Sequence, residues 1–338
     1  MKNNRLLKTG LVILTSVFFL STTLTSCKNN DDVSPTISQI AVSMAGFSQL
    51  EAAAIRGGVA ITLSNKNTND PSGNFTVFAP TNEAFAKIGL VNPADLNVLQ
   101  KSFLTDVLLY HVNDGATLET TLIGGYKVPS LLGATVTKRV INRGSDRFVN
   151  GSKIIATNVK ADNGVVHVID RVLLASGADI ANTAIFFAQG KGFVNPELSF
   201  LVEAVVYADL VADLADPNAN FMVFAPTNQA FKDLGVILGV PLNQPSDIRK
   251  LPKATVQQVL LTHVFDFNGG ALFTSQLNGG NIPRAFNLNN QEITLGAYTN
   301  GYLTVKARGN ATPANMVIPD VQCTNGIVHV IDRVLLPQ

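Results

Sequence analysis

The clearest pattern of apolar and polar positions predicts a strand followed directly by a helix. Residues 75–79, Phe-Thr-Val-Phe-Ala, alternate and are rich in β-forming residues, which is typical of a strand. Pro80 ends this strand because proline has no N–H to donate to a neighbouring strand. Thr81 or Asn82 can then cap a helix that begins near Glu83.

A second pattern predicts a buried strand about ninety residues later. Asn163 and Gly164 form a dipeptide that is typical of a turn. Residues 165–174 follow as a β-branched run that is apolar on both faces and is interrupted by His167. Such a run favours a strand in the interior of a sheet.

Both patterns occur twice, in the same order, and this repeat determines the domain organisation. Residues 74–85 and 220–231 share ten of twelve positions, and residues 163–174 and 325–336 share eleven of twelve. We expect one copy at residues 37–175, a short linker at 176–179 and a second copy at 183–337. The preceding residues are expected to be a signal peptide (1–26) and a tether (27–36).

The N-terminal residues have the features of an exported lipoprotein. Lys2, Arg5 and Lys8 precede an apolar stretch from Leu11 to Leu20, which is too short to span a bilayer. Leu24-Thr25-Ser26-Cys27 resembles the bacterial lipobox, in which the cysteine becomes the lipidated first residue. A simple signal peptide with a chance cysteine is the alternative. The lipobox predicts a membrane attachment through acyl chains on Cys27.

The polar residues after Cys27 bear on localisation. Residues 28–32, Lys-Asn-Asn-Asp-Asp, lack apolar periodicity and favour a flexible spacer. A basic residue followed by acidic ones also resembles the surface-export signal of Bacteroidetes lipoproteins. We therefore expect an outer-membrane lipoprotein of the cell envelope that is exposed at the surface.

Composition supports two compact domains and argues against one class of partner. The 338 residues are 46% hydrophobic and only 14% charged, with a net charge of +1. Residues 1–26 contain three basic and no acidic residues, so the remainder has 22 basic and 24 acidic residues, a net charge of −2. Without a basic cluster or a tryptophan, nucleic acid is not expected to bind.

The repeated segments resemble the signature motifs of the fasciclin domain family. The resemblance rests on TVFAPTNEAF at residues 76–85, the Tyr-His pair at 110–111 and NGVVHVIDRVLL at 163–174. It implies an α+β fold for each copy, a β-sandwich wedge of about seven strands with packed α-helices. It also implies a role in adhesion or extracellular interaction, with an extracellular protein or polysaccharide as partner.

All four histidines lie in the repeat, where His111 corresponds to His263 and His167 to His329. Four histidines in an exported protein raise the possibility of a metal site. Each copy supplies only two, and they lack the local spacing of metal ligands. We therefore predict no metal site and no cofactor, and we expect His167 and His329 to be hydrogen-bonded residues of the interior.

Two acidic residues of the last motif, Asp170 and Asp332, could act as catalytic acids beside Arg171 and Arg333. Neighbouring residues on a strand point to opposite faces, so each such pair should not meet. A structural role is favoured, in which Asp170 and Asp332 accept hydrogen bonds that hold loops or a helix near the first motif.

Five residues are candidates for binding. The resemblance marks Tyr110 and His111, because this position has been linked to integrin-mediated adhesion in animal relatives. The second copy keeps His263 but has Thr262 in place of the tyrosine, and a role in the core is the alternative. Tyr298 and Tyr302 flank the predicted hairpin tip Asn300-Gly301, where aromatic rings could stack on a sugar or a protein.

The sequence lacks GxSxG, Walker A, GxGxxG and HExxH motifs, so we predict no catalytic residues and no enzyme. The leading hypothesis is a lipid-anchored adhesion or matrix-interaction protein, in which tandem copies raise the effective concentration at a repetitive target. The alternative is a lipoprotein that captures glycans or nutrients for an outer-membrane uptake system.

Overall fold

The computed structural model describes residues 34–133, 136–190, 192, 198–267 and 269–338. The predicted signal peptide, most of the tether and Cys27 lie outside these residues. Within them, no helix is long and apolar enough to cross a membrane.

The first copy begins with helices and ends with strands. Its helices are α1 (Ile37–Ser43), α2 (Ser48–Gly57), α3 (Asn82–Ala86) and α4 (Lys101–His111). Its strands are β1 (Phe75–Pro80), β2 (Val112–Asp114), β3 (Lys127–Val128), β4 (Lys138–Arg143), β5 (Asp146–Val149), β6 (Ser152–Ala161) and β7 (Gly164–Ile169).

The second copy repeats this plan with longer insertions. Its helices are α5 (Ile180–Ala188), α6 (Ser199–Tyr207), α7 (Val211–Ala215), α8 (Asn228–Leu238) and α9 (Lys253–Thr262). Its strands are β8 (Phe221–Pro226), β9 (Val264–Asp266), β10 (Gly280–Ile282), β11 (Ile293–Leu295), β12 (Thr304–Ala307), β13 (Ala314–Cys323) and β14 (Gly326–Ile331). The α+β fold with about seven strands per copy is confirmed.

The two repeated motifs are neighbours in space. Strand β1 pairs in parallel with β7, so that Phe75 lies beside Gly164 and Phe78 beside His167. Strands β8 and β14 repeat this pairing with Phe224 beside His329. The first sheet has the order β2-β1-β7-β6-β5-β4-β3, and the second has β10-β11-β12-β13-β14-β8-β9.

Each sheet has a core on either face. Val77 and Val166 face the helices and belong to one apolar cluster. Phe78 on the opposite face packs in another cluster with Val140 of β4 and Val149 of β5. Strands far apart in the hydrogen-bonded order therefore meet in one core, which is the arrangement of a sandwich.

The first motif folds as its sequence predicts. Thr81 is the residue that caps α3, and its hydroxyl accepts a hydrogen bond from the Ala84 amide. Thr227 caps α8 in the same way through the Ala230 amide. The repeated Thr-Asn dipeptide therefore starts a helix in both copies.

The last motif differs from its prediction in two respects. The turn is formed by Asp162 and Asn163, and Gly164 already pairs with Ala161. The strand then ends at Ile169 rather than Leu174. The residues that follow leave the sheet, and Ala175 forms a bridge with Gln322 of the second copy.

Asn163 joins three elements of the first copy. Its buried side chain accepts a hydrogen bond from the Ile37 amide and donates to the Leu63 and Asn65 carbonyls. Asn325 makes the equivalent contacts with Ile180, Leu214 and Asp216. Helices α1 and α5 are therefore equivalent, which places the counterpart of residue 37 at residue 180.

We expect Asn163→Ala to lower the free energy of unfolding by about 2–4 kcal/mol, because it leaves one buried amide and two buried carbonyls without partners. Asn325→Ala should have a similar effect. Urea unfolding measures both. Asn97→Ala, at an exposed position, is the control, and a loss no larger than that of Asn97→Ala would contradict the role of Asn163.

Candidate functional site

The Tyr110-His111 pair ends helix α4 inside the first copy. The His111 Nδ1–H donates to the Val107 carbonyl (2.7 Å), and its Nε2 accepts from the Leu173 amide (2.9 Å). The Tyr110 hydroxyl accepts from the Asn150 side chain at 2.7 Å. Both residues are buried.

His263 makes the equivalent bonds in the second copy, to the carbonyl four residues earlier in the chain and to an amide after the last strand. Its Nδ1–H donates to the Val259 carbonyl (2.7 Å), and its Nε2 accepts from the Leu335 amide (2.8 Å). In both copies the histidine therefore connects the end of a helix to the segment that follows the last strand.

Burial keeps both rings neutral. It lowers the pKa of His111 to about 4 and the pKa of His263 to about 4, against the opposing effect of the hydrogen bonds to Val107 and Val259. The neutral form is also the one that the bonds require, because Nε2 must be unprotonated to accept a hydrogen bond from an amide N–H.

These positions correct the expectation that Tyr110, His111 and His263 are contact residues. Tyr110 is 0% exposed, and each histidine is 2% exposed. A partner on the surface could not reach these side chains. The alternative, a role in the core, agrees with their geometry.

His167 and His329 stabilise a bulge in the strand beside them. The Asn158 amide donates to His167 Nδ1, and the Asp320 amide donates to His329 Nδ1. Each Nε2–H bonds to a carbonyl, that of Thr117 or Leu272. Asn158 and Asp320 have positive φ values of 57° and 67°. The hydrogen bonds to the histidines therefore hold one residue in the left-handed backbone conformation at each bulge, in β6 and in β13.

The acidic residues of the last motif also serve the framework. Asp170 accepts from the Lys153 amide (2.8 Å) and pairs with Lys87 (3.2 Å), which follows α3. Asp332 accepts from the amide and the side chain of Asn315 at 2.7 Å each. Neither carboxylate is paired with the arginine that follows it.

In the part of the chain that the structure describes, no group of three or more His, Cys, Asp or Glu residues could hold a metal ion. Cys323 is buried and free. Burial raises the pKa of its thiol to about 11, so the thiolate nucleophile is disfavoured at neutral pH.

Tyr298 and Tyr302 lie against the first copy. Asn300 and Gly301 form the tip of a hairpin, with positive φ at both and paired flanking residues Thr299 and Tyr302. The Arg143 guanidinium carbon lies 4.0 Å from the centre of the Tyr298 ring. That of Arg171 lies 3.9 Å from the Tyr302 ring.

This packing corrects the prediction of an aromatic binding tip. The two tyrosines are half-buried, and cationic groups cover ring faces that a sugar would need. Phe148 of the first copy adds an edge contact with Tyr298, with 6.1 Å between ring centres. The aromatic residues therefore join the two copies to each other.

Hydrogen bonds extend the contact between the copies. Arg139 donates to the Ala271 carbonyl at 2.8 Å, and Arg143 donates to the carbonyls of Ser275 (3.0 Å) and Leu277 (2.7 Å). Arg171 donates to the Asn300 carbonyl at 2.7 Å. We call Arg139, Arg143 and Arg171, with the second-copy groups that they contact, the arginine interface.

The linker adds backbone bonds beside the arginine interface. The Ser176 amide donates to the Gln322 carbonyl, and the Gln322 amide donates to the Leu174 carbonyl. Asp179 then caps α5. Phe103 of the first copy also contacts Phe186 and Phe187 of the second, so the helical cores of the two copies are continuous.

Sequence reasoning missed the arginine interface and one buried lysine. Strand β4 places Arg139, Ile141 and Arg143 on one face and Lys138 on the other by simple alternation. Lys138 is fully buried, and its Nζ donates to the Tyr110 and Pro129 carbonyls. The alternation marks two cationic side chains on one face, although it does not identify what they contact.

An exposed apolar surface lies at the end of α8. Val236, Ile237 and Leu238 are 83%, 64% and 48% exposed. The first copy has a shorter helix at this position. The end of α8 is thus one apolar surface that a partner could contact.

Comparison with known families identifies the repeat. The sequence profile of the Fasciclin domain family matches residues 45–175 and again residues 196–337. The family is not a catalytic one.

Individual relatives match one or both copies. Human periostin is 29% identical over 280 residues, which are 78% of this chain and 28% of periostin. Protein sll1483 of Synechocystis is 36% identical over 144 residues, which are 42% of this chain and 75% of that protein. The chain thus spans little more than a quarter of periostin's length.

One solved structure is also similar. It is a FAS1 domain pair from the insect cell adhesion molecule Fasciclin I, with a TM-score of 0.36 and 19% identity. The alignment covers 85% of this chain and 95% of that one.

We expect the free energy of unfolding to fall as the pH falls from 6.5 to 4. The unfolded histidines bind protons near pH 6.5, whereas folded His111 and His263 do so only near pH 4. Their contribution is complete above pH 6.5 and declines below it, by up to about 1.4 kcal/mol per pH unit for each ring.

Urea unfolding at several pH values measures this slope. The double variant His111→Gln, His263→Gln should be less stable at pH 7.5 but should lose less stability on acidification. An unchanged slope in that variant would contradict the assignment to these two rings.

We expect the double variant Arg143→Ala, Arg171→Ala to loosen the contact between the two copies. It removes two ring contacts, worth about 0.5–2 kcal/mol each, together with three hydrogen bonds to carbonyls. Amide hydrogen exchange at residues 298–303 should become about tenfold faster or more. Arg249→Ala, which removes a ring contact with Tyr207 within the second copy, is the control. Equal exchange in both variants would contradict the role of the arginine interface.

Proposed function

The chain belongs to the fasciclin domain family, and from this membership we propose that it is a lipid-anchored interaction module of the cell envelope. Cys27 carries the anchor, and the two domains bind an extracellular protein or matrix component. The anchored chain thereby attaches the cell to that component. The membrane is the second partner, through the acyl chains.

The observation that supports this proposal most is the joining of two family domains into one unit. The arginine interface and the continuous helical core restrict how the copies move with respect to each other. A fixed pair presents two copies of one fold at a constant separation. Two weak sites on one rigid carrier can then bind a repetitive target with useful avidity.

The position of the anchor supports attachment close to the membrane. Nine residues lie between Cys27 and Ile37, where α1 begins, which makes ten Cα–Cα steps. Even fully extended, they span at most about 33–36 Å. The domain pair is therefore held within a short distance of the lipid, where it can bridge the envelope and an external surface.

The chemistry of the described residues favours interaction over catalysis. The histidines and the acidic residues of the repeat are engaged in bonds that hold the framework. The surface, in contrast, carries the exposed apolar end of α8. Apolar side chains that extend into solvent are typical of contact with another protein.

The alternative, capture of a glycan or nutrient for an outer-membrane uptake system, has less support. Its candidate aromatic surface was the Tyr298–Tyr302 tip, and arginines of the first copy cover those rings. The chain also has no tryptophan to offer a flat platform for a sugar.

We expect cells that express the full chain to adhere to surfaces coated with extracellular matrix protein. Cys27→Ser should abolish this adhesion by releasing the chain from the membrane. Purified residues 34–338, added in excess, should block the adhesion of cells that carry the anchored chain. A cell-adhesion count, with detergent-phase partitioning to follow the anchor, measures both effects.

Two outcomes would contradict the proposal. Equal adhesion of cells with and without Cys27 would show that the anchored chain does not mediate attachment. Saturable binding to polysaccharides alone, on an array that also contains matrix proteins, would instead support the capture function.

A further inference from the structure

Each copy contains an apolar cavity between its first helices and its sheet. The cavity of the first copy has a volume of about 210 Å³ and lies between α1, α2 and the helix-facing side of β1. That of the second copy has a volume of about 290 Å³ and lies between α5, α6 and β8. We call these cavities the first and second cavity.

The two cavities are equivalent, since the same positions of the repeat line both. In each copy an isoleucine and an alanine from the first helix, a leucine and a histidine from the end of a later helix, and a valine from the central strand contribute. These pairs are Ile37 and Ile180, Ala41 and Ala184, Leu108 and Leu260, His111 and His263, and Val77 and Val223.

An unfilled cavity lowers the stability of each copy. Apolar cavities destabilise a protein in proportion to their volume, because the lining atoms lose packing partners. The two copies differ at most of their residues outside the repeated motifs, so their side chains could have filled one cavity independently of the other. Both remain, which is expected when the space has an occupant.

The lining determines the chemistry of that occupant. His111 and His263 have both ring nitrogens engaged with the backbone. Within the described residues, the buried side-chain polar atoms that lack a hydrogen-bond partner belong to Gln49, Asn113, Arg171, Gln322 and Arg333. None of these residues lines either cavity. The interior therefore offers mainly apolar contacts and no fully buried polar atom without a partner, although Glu51 lines the first cavity and Asp213 and Asp216 line the second.

Large apolar side chains lie at the openings of both cavities. Val42 and Ile55 line the first cavity and are 62% and 65% exposed. Val206 and Leu288 line the second and are 44% and 43% exposed. These apolar side chains give a hydrocarbon an apolar path into each cavity beside the acidic residues of the lining.

We propose that each copy binds one small uncharged hydrocarbon ligand, or the hydrocarbon part of a larger molecule, in the cavity between its first helices and its sheet. An apolar cavity of about 150 Å³ in another protein binds benzene. By proportion, the two cavities hold on the order of 8 to 12 carbons. Alkyl chains and fused aromatic rings of that size have the required chemistry.

A segment of this chain explains the two cavities less well than a free ligand does. The N-terminal apolar stretch at residues 11–20 occurs once, whereas the cavities are two and equivalent. A free ligand explains both cavities equally. This inference does not depend on the proposed adhesive function, because it concerns a different surface and uses no partner protein.

The test is calorimetric titration of residues 34–338, which contain every described helix and strand, with ethylbenzene, whose eight carbons suit both cavities. We expect saturable binding of two molecules per chain. Because the ligand binds only the folded state, it should also raise Tm progressively, with the logarithm of its concentration above Kd.

Two matched substitutions assign the sites. Ala41→Phe should fill the first cavity and Ala184→Phe the second, and each should reduce the stoichiometry from two to one. The double variant should bind no ethylbenzene. Ala212→Phe, at an exposed position of α7 outside the cavity, is the control and should still bind two molecules.

The result that would overturn the proposal is equally direct. If ethylbenzene does not bind saturably, or binds equally to the double variant and the control, the cavities are not ligand sites. If a phenylalanine variant fails to fold, the smaller substitutions Ala41→Leu and Ala184→Leu take its place. The ligand-induced rise in Tm of the unaltered chain is a second measurement, and its absence would also overturn the proposal.

Discussion

The parallel pairing of the two repeated motifs is the constraint on which each copy depends. Strand β1 can lie beside β7 only if the intervening chain crosses from one end of the sheet to the other, and that crossing includes α4 and the outer strands. Gly164 permits the closest approach, because a side chain there would collide with the Phe75 carbonyl. Once these strands pair, the helices cover one face and β3 to β6 cover the other.

The joining of the two copies depends mostly on residues that the repeat does not share, although Arg171 has Arg333 as its counterpart in the repeat. Arg139 and Arg143 lie on an outer strand of the first copy, and Tyr298 and Tyr302 lie on a hairpin of the second copy. The copies therefore contact each other through unlike surfaces, although their interiors are alike. The repeated interior gives two copies of one fold, while the unlike surfaces set how those copies are placed.

Sequence alone predicted the interior better than the surface. The alternation at residues 75–79, the break at Pro80 and the cap at Thr81 are local signals, and they hold because each depends on a few neighbouring residues. The roles of Tyr110 and Tyr298 depend on contacts with residues that are far away in the sequence. Nothing in a local pattern distinguishes an aromatic ring in solvent from one that stacks on an arginine about 150 residues away. Resemblance to the family identified the fold, yet it could not supply those contacts either.

The measurement that tests the central claim most directly is the distance between the two copies in solution. Spin labels at Lys101→Cys and Lys232→Cys, both exposed positions, report it by pulsed electron resonance, while Cys323 is buried and inaccessible to the label. The fixed pair predicts one narrow distance distribution. A broad distribution, with many separations populated, would contradict the account, because the copies would then move independently.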